Sequence, residues 1–546
     1  MNAIERAKRL LCGRATFALV NGKRERVYYE SGIQPLLNLS DKDRELLKGA
    51  AVADKIVGKA AACLMAAGGA AEVHAGVMSR GAMKVFDKCG IKYTFDTETE
   101  IISDRTGTGA CPMEQTVRYI DDPAKAEEAI RRTQHILKLR AQGGKEMKKL
   151  GFGMMRLPLL SGDQKDVDLE QVKKMADEFL ARGFEYFDTA WMYHEHTSEL
   201  VARECLVKRY PREVFRLATK LPAFSLNSAE EMQSTFDRQC EKCGVDYFDY
   251  YLIHNINEDN YINKVQKFDA FGFVKKLKEQ GKIRHYGFSF HDTADVLDRV
   301  LSDHPDAEFV QLQINYLDWD SERVQSGKCW EVARRHGKPI IIMEPVKGGT
   351  LANVPPQAEA LFKAKEPGMS VPSWAIRFAA GLDGVFMVLS GMSTEAQLED
   401  NTSFMSDFKP LDEGELETVK KVASIIKGTG AIACTACRYC TENCPMDIAI
   451  PDYFAAYNGD ILDGGKNAAK HRAEYEAFAE GHGTASACVR CGACEEHCPQ
   501  HLHIRDLLEK VAAKFERVFI NVIFRGSFSK SRRDSRVWGR GARPPR

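Results

Sequence analysis

Phe184-Glu185-Tyr186-Phe187-Asp188-Thr189-Ala190-Trp191-Met192-Tyr193 is the stretch that decides the fold. A short apolar run closes on an acidic residue, and amphipathic stretches of helical length stand on either side, which is how a buried strand reads inside a βα repeat. From Lys149 onward the pattern recurs, giving eight candidate strands at 150–157, 184–190, 215–221, 247–254, 283–290, 309–315, 339–345 and 385–391. Eight βα units within about 255 residues predict an α/β fold of the (β/α)8 TIM-barrel type, whose active site lies at the carboxyl ends of the strands. Polar residues fall at those ends: Asp188, Lys220, His254, Ser289 and Gln313.

At 546 residues the chain exceeds what one core organises and reads as three domains and a tail. Residues 1–140 form a small α/β domain, with a strand pair over 18–29, a helix that Ser40 caps, an alanine-rich helix over 51–67 and a turn at Thr106-Gly107-Thr108-Gly109. The charged stretch 122–145 links it to a barrel over 146–410, followed by an α-rich ferredoxin-like domain over 411–516. The tail, 517–546, is basic: its last part, 525–546, carries eight Lys or Arg against the single Asp534, a composition that predicts a solvated, disordered segment rather than a nucleic-acid contact.

Lys plus Arg equal Asp plus Glu at 77 each, which argues against a protein held everywhere by phosphates or an anionic membrane. Glu5, Arg6, Lys8 and Arg9 break up the start, and no run approaches the roughly 18 apolar residues of a spanning helix, so the expectation is a cytoplasmic protein without a membrane partner.

Of 16 cysteines, eight crowd into 434–498. Cys434-Thr435-Ala436-Cys437-Arg438-Tyr439-Cys440-Thr441-Glu442-Asn443-Cys444-Pro445 has a spacing that recurs in Cys488-Val489-Arg490-Cys491-Gly492-Ala493-Cys494-Glu495-Glu496-His497-Cys498-Pro499. Both runs resemble the ligand runs of bacterial ferredoxins, in which the fourth cysteine of each run serves the other cluster. The resemblance implies two [4Fe-4S] clusters, one on Cys434, Cys437, Cys440 and Cys498, the other on Cys488, Cys491, Cys494 and Cys444. Four cysteines also bind zinc, but the third close cysteine and the following proline favour iron. The other eight cysteines are scattered and read as small buried hydrophobes, the pair Cys240 and Cys243 included.

Asp188-Thr189-Ala190-Trp191-Met192-Tyr193 resembles a motif of the aldo/keto reductase family. Ala218-Thr219-Lys220, Tyr251-Leu252-Ile253-His254 and the strand Gly281-Lys282-Ile283-Arg284-His285-Tyr286-Gly287-Phe288-Ser289 match further family positions in order. The resemblance implies carbonyl reduction in which Tyr193 donates the proton, Lys220 lowers the tyrosine's pKa, Asp188 positions Lys220, and His254 orients the carbonyl. A tyrosine with a reference pKa near 10 needs such a neighbouring cation to act as an acid.

The same resemblance implies NADP or NAD at the barrel mouth. Ser289 and Gln313 then hold the nicotinamide amide; Pro345, Val346, Lys347, Gly348 and Gly349 follow strand seven, with Lys347 offered to a phosphate. Gly391, Met392, Ser393, Gln397, Asp400 and Asn401 form the adenosine-binding segment. Gly391 and Gln397 stand where many NADP-preferring members carry Lys and Arg, and Phe290 replaces the usual asparagine, with His291 beside it.

Leu19-Val20-Asn21-Gly22-Lys23, Val73-His74-Ala75-Gly76 and Ala110-Cys111-Pro112 resemble a family of unknown function related in fold to cytidine deaminases. Zinc deaminases need H-x-E with P-C-x-x-C. Gly76 stands at the glutamate position and Cys111 has no partner, so the domain is expected to lack zinc and deaminase activity.

Two functional readings remain at this point. One is a reductase of a small carbonyl or alcohol substrate with clusters that carry electrons; the other is an electron-transfer protein whose barrel is a docking or ligand-binding module. Nicotinamide passes two electrons as hydride and a cluster passes one. No flavin fingerprint is present, so either barrel and clusters work in parallel or a redox partner protein supplies the missing step.

Overall fold

The computed structural model describes residues 1–104, 107, 109–142 and 147–516. Thr106 and Thr108 of the expected turn, residues 143–146 of the link and the basic tail 517–546 lie outside the described residues.

The first domain is a five-stranded sheet of β1 (Phe17–Asn21), β2 (Arg24–Tyr28), β3 (Ala51–Val57), β4 (Glu72–Ser79) and β5 (Lys92–Thr99), in the order β2-β1-β3-β4-β5. β1 is antiparallel to β2 and β3, while β3, β4 and β5 run parallel. The alanine-rich segment corrects the sequence expectation: its first seven residues are β3, and only Lys59–Ala67 is helical. Ala51, Val52 and Ala53 are buried in the sheet's interior, where partner strands on both sides override helix propensity. Ser40 is no cap either. It lies near the end of the helix Gln34–Lys42, which starts with proline in its first turn, and its hydroxyl donates to Glu127.

The link is largely the helix Pro123–Gln142. Ala126 and Ile130 pack into the first domain's core, whereas Ile136 packs into that of the barrel.

The barrel closes from eight parallel strands: β6 (Leu150–Gly153), β7 (Tyr186–Asp188), β8 (Arg216–Leu221), β9 (Phe248–Ile256), β10 (Ile283–Phe290), β11 (Phe309–Gln313), β12 (Ile340–Met343) and β13 (Val385–Gly391). Each falls in a stretch the sequence marked as a strand, except that β9 runs on to Ile256, past the expected end at 254. Side chains alternate between the two faces of the sheet. Phe152 and Phe187 point outward and pack with Phe179 of the helix Leu169–Ala181, while Tyr186, Ala218, Leu252, Phe309, Ile341, Met387 and Leu389 fill the barrel's interior. The helix Glu413–Gly428, opened by a capping box of Asp412 and Glu415, sets Val419, Val422 and Ile426 against Leu351, Phe362 and Trp374 of the barrel's outer shell. It is therefore part of the barrel's packing although it lies beyond residue 410.

The last domain packs the helices Ile450–Leu462, Ala468–Ala479 and Ile504–Phe515 around Tyr453, Phe454, Tyr475, Leu508 and Val511, with Cys440 and Cys494 in the same core.

Candidate active site under an iron–sulfur roof

Strand alternation puts the polar residues in place. Two positions beyond inward-facing Tyr186 stands Asp188; two beyond Ala218 stands Lys220; two beyond Leu252 stands His254. Each is raised by one pleat from the apolar interior to the barrel's mouth. Lys220 Nζ donates to Asp188 Oδ1 at 2.6 Å and to the Thr189 carbonyl at 2.9 Å, and lies 3.4 Å from the Tyr193 hydroxyl. Lys220 and Asp188 are almost wholly buried, at 1% and 3% side-chain exposure. Tyr193 reaches the mouth from the loop after β7, with its ring edge-on to the His254 imidazole at 6.3 Å between centroids.

Burial shapes the protonation of all four. It raises Asp188 and lowers Lys220, while their mutual attraction opposes both shifts. Desolvation holds the Tyr193 phenol well above its usual range; Asp188 and Glu344 push the same way and Arg156 opposes them. Loss of solvent is the largest of these influences. The His254 imidazole is held well below its usual range by burial, then by Lys220 and His291, and it is neutral; its Nδ1 has no hydrogen-bond partner. Burial likewise brings His291 down to about 4.

Asp188, Tyr193 and His254 line a cavity of about 320 Å³. Gln313, Pro345, Val346, Gly348, Gly349, Gly391, Ser393, Gln397, Asp400 and Asn401 from the expected cofactor set line it too. Gly348 and Gly349 have φ of 63° and 98°, values that glycine adopts readily. Thr394 caps the helix Glu395–Ser406; Gln397 accepts the Ser393 N–H, and Asn401 donates to Ser390.

Three expected residues lie elsewhere. Met392 is fully buried, and the Ser289 hydroxyl accepts the Asn255 N–H at 2.8 Å. Lys347 is the clearest departure. Its ammonium, offered by sequence to a phosphate, is 1% exposed and bonds both Asp318 oxygens at 2.6 and 2.7 Å, a buried pair that holds the charge away from the cavity.

Thr435, Cys437, Tyr439, Pro499 and Gln500 of the cysteine-rich domain line the same cavity and close it from above. Arg156 Nη2 donates to the Thr435 carbonyl at 2.6 Å and to Glu344 at 3.3 Å, and Glu344 accepts the Gly348 N–H at 2.6 Å. Gly348 must be glycine here, since a Cβ would stand 2.3 Å from the Thr435 carbonyl oxygen. Sequence reasoning missed Arg156, Thr435, Tyr439 and Gln500 as cavity residues, and no local signal marks them. Glu344 lies in the seventh predicted strand, 339–345, and carried no expected role there.

The eight cysteines ring two further small cavities. Cys434, Cys437, Cys440 and Cys498 line one; Cys444, Cys488, Cys491 and Cys494 line the other. Among the described residues no three His, Cys, Asp or Glu side chains converge as on a single metal ion. Ala436 donates its N–H to the Cys434 sulfur at 3.4 Å and Ile448 to that of Cys444 at 3.5 Å. Burial pushes the thiols of Cys434 and Cys437 up to about 11 and about 12, so a bound cation must displace their protons before they ligate. In the first domain, His74 Nδ1 meets the Thr94 hydroxyl at 2.9 Å, and a Cβ on Gly76 would stand 2.9 Å from the Lys55 carbonyl oxygen.

Comparison with known proteins agrees with this division. The aldo/keto reductase family model matches residues 149–424, a domain of unknown function (DUF1893) matches 6–133, and a 4Fe-4S dicluster domain matches 433–502. A probable aldo-keto reductase 1 from Glycine max is 31% identical over 192 residues, covering 34% of this chain and 51% of that protein, so the chain spans about half of this relative. L-galactose dehydrogenase from Arabidopsis thaliana is 23% identical over 310 residues, covering 53% of this chain and 95% of that protein. Among solved structures, an aldo-keto reductase from Klebsiella pneumoniae in complex with NADPH is 18% identical with a TM-score of 0.41, covering 51% of this chain and 91% of that one. With half the chain matched by one family model, the protein belongs to the aldo/keto reductase family, as an oxidoreductase whose barrel stands between a DUF1893 domain and a 4Fe-4S dicluster domain.

Proposed function

We propose that the barrel interconverts a small carbonyl compound and its alcohol with NADP or NAD, beside two [4Fe-4S] clusters that exchange electrons with a redox partner protein. The observation that carries this reading is buried Lys220, 2.6 Å from Asp188 and 3.4 Å from the Tyr193 hydroxyl, beside a cavity that Asp188, Tyr193 and His254 line. A structural ion pair alone has no need of the tyrosine and histidine.

The mouth fits a nicotinamide in one specific respect. Gln313 already holds a primary carboxamide, that of Gln500, with N–H donated in both directions at 2.9 and 2.6 Å, so its surroundings suit the nicotinamide amide. Gly349, Gly391, Ser393, Asp400 and Asn401 line the cavity where the family places the phosphates and adenosine. When bound, nicotinamide supplies the hydride for reduction or receives it in oxidation. Tyr193 keeps its proton until charge develops on the carbonyl oxygen, then gives it up; the Lys220 ammonium, fixed by Asp188 and the Thr189 carbonyl, steadies the phenolate left behind. Neutral His254 offers the oxygen a hydrogen bond without competing for that proton.

The cysteine runs fit iron: four sulfurs ring each of two cavities, and backbone N–H groups point at Cys434 and Cys444. Bound clusters would supply one-electron steps. Thiol ligands of this kind suit a reducing compartment, for which we propose the cytoplasm; no helix among the described residues is long and apolar enough to cross a membrane. Anaerobic turnover of a carbonyl panel with NADPH and with NADH tests the reading. Carbonyl-dependent oxidation of at least one cofactor is expected, and its absence with both rejects the proposal.

A further inference from the structure

Gln313 closes β11 at the mouth, and Gln500 comes two residues after the cluster cysteine Cys498. Their amides are joined head to tail, and both residues are buried, at 5% and 3% exposure. Gln313 Nε2 also donates to Asp318 at 3.1 Å, and Lys347 Nζ lies 3.4 Å from Gln500 Oε1. Both polar atoms of the Gln313 amide are thus satisfied inside the chain, and by the donor and acceptor set that a nicotinamide carboxamide presents. A single amide edge cannot serve two carboxamides.

The loop that carries Gln500 also touches the cluster side. Gln500 and Leu502 line the small cavity that Cys434, Cys437, Cys440 and Cys498 ring, and the His501 N–H donates to the Cys498 carbonyl at 3.0 Å. Hydrogen bonds and exposure at a cluster help set its reduction potential.

We propose that Gln500 is an internal occupant of the nicotinamide-amide subsite, displaced when the cofactor binds, so that cofactor occupancy and the potential of the Cys434, Cys437, Cys440 and Cys498 cluster are linked through the Cys498-Pro499-Gln500 turn. The inference rests on the reading of the mouth as a nicotinamide site. Linkage is reciprocal: if moving the polar Gln500 side chain away from the cluster cavity makes the cluster harder to reduce, reduction of the cluster weakens cofactor binding by the same factor.

The test uses the full chain with its clusters assembled anaerobically, titrated with NADP⁺ and with NAD⁺ by calorimetry. Gln500→Leu, which keeps bulk and removes the amide, is expected to bind the preferred cofactor about tenfold more tightly than the unaltered protein, with Gln500→Asn, too short to reach Gln313, moving the same way. In a redox titration followed by paramagnetic resonance, saturating cofactor should lower the potential of the signal that Cys437→Ala removes, and a tenfold linkage corresponds to about 59 mV for one electron. The shift should vanish in Gln500→Leu, while the signal that Cys491→Ala removes stays put throughout. Equal affinity of unaltered and Gln500→Leu protein overturns the proposal and leaves the nicotinamide reading standing. An unshifted potential with cofactor bound does the same and needs no folded variant. Failure of both proteins to bind either cofactor overturns the reading and the proposal together.

Discussion

The two sides of the barrel mouth differ in how their polar groups are used. On one side, Asp188 and His254 stand on strand ends and open into the cavity with Tyr193, and buried Lys220 backs them through short contacts within the barrel. On the other, Gln313, Lys347 and Gly348 are engaged by Gln500, Asp318 and Thr435, two of them in the iron–sulfur domain. Chemistry is built into the strands, whereas access for a cofactor depends on what the neighbouring domain leaves free.

The largest expected effect lies on the strand side. Tyr193→Phe should slow carbonyl reduction by about 10²- to 10⁴-fold with cofactor affinity kept, since the proposed proton donor goes and the proposed phosphate loops remain. Turnover near that of the unaltered protein, in anaerobic assays on a confirmed substrate, removes Tyr193 from the mechanism.

The roof can be broken selectively. Anaerobic protein should carry about eight iron and eight sulfide per chain. Cys498→Ala should lose the resonance assigned through Cys437→Ala and keep the one assigned through Cys491→Ala. The opposite result means that each cysteine run closes its own cluster, and zinc in place of iron ends the electron-transfer reading.

On the cofactor side, Lys347→Met should act on stability: stranding Asp318 without its buried partner costs about 3–5 kcal/mol, visible as an early denaturation midpoint. A variant of normal stability whose cofactor affinity falls more than tenfold would restore the phosphate role. A smaller effect concerns pH. A histidine gains charge as pH falls through its pKa, and that of His254 is held well below 6.5, so it stays neutral from about pH 8 to 6 and kcat should show no limb there that His254→Gln removes. Finding such a limb would mean that His254 works charged.

The barrel was legible because its strands repeat and because an inward residue marks, two places on, the next inward residue; Tyr186 to Asp188 and Ala218 to Lys220 follow that rule. The cysteine runs were legible as a 4Fe-4S domain from their local spacing. The roof was not, because Gln313 and Gln500 meet across 187 residues and nothing in either neighbourhood announces the other. The pairing of Lys347 was not legible because its partner Asp318 lies in the preceding loop, 29 residues away. The strand at Ala51–Val57 was hidden by alanine, whose small side chain suits a crowded sheet interior as well as a helix.

The central claim is that the carbonyl site and the Cys437 cluster face one cavity. Fluorine NMR of a trifluoromethyl ketone bound to the iron-loaded protein measures this most directly, since a nearby paramagnetic cluster broadens the ligand's line. The account predicts broadening on reduction of the clusters that persists in Cys491→Ala and disappears in Cys437→Ala. A bound ketone whose line stays narrow in the reduced protein, or whose broadening follows Cys491 instead, would contradict it.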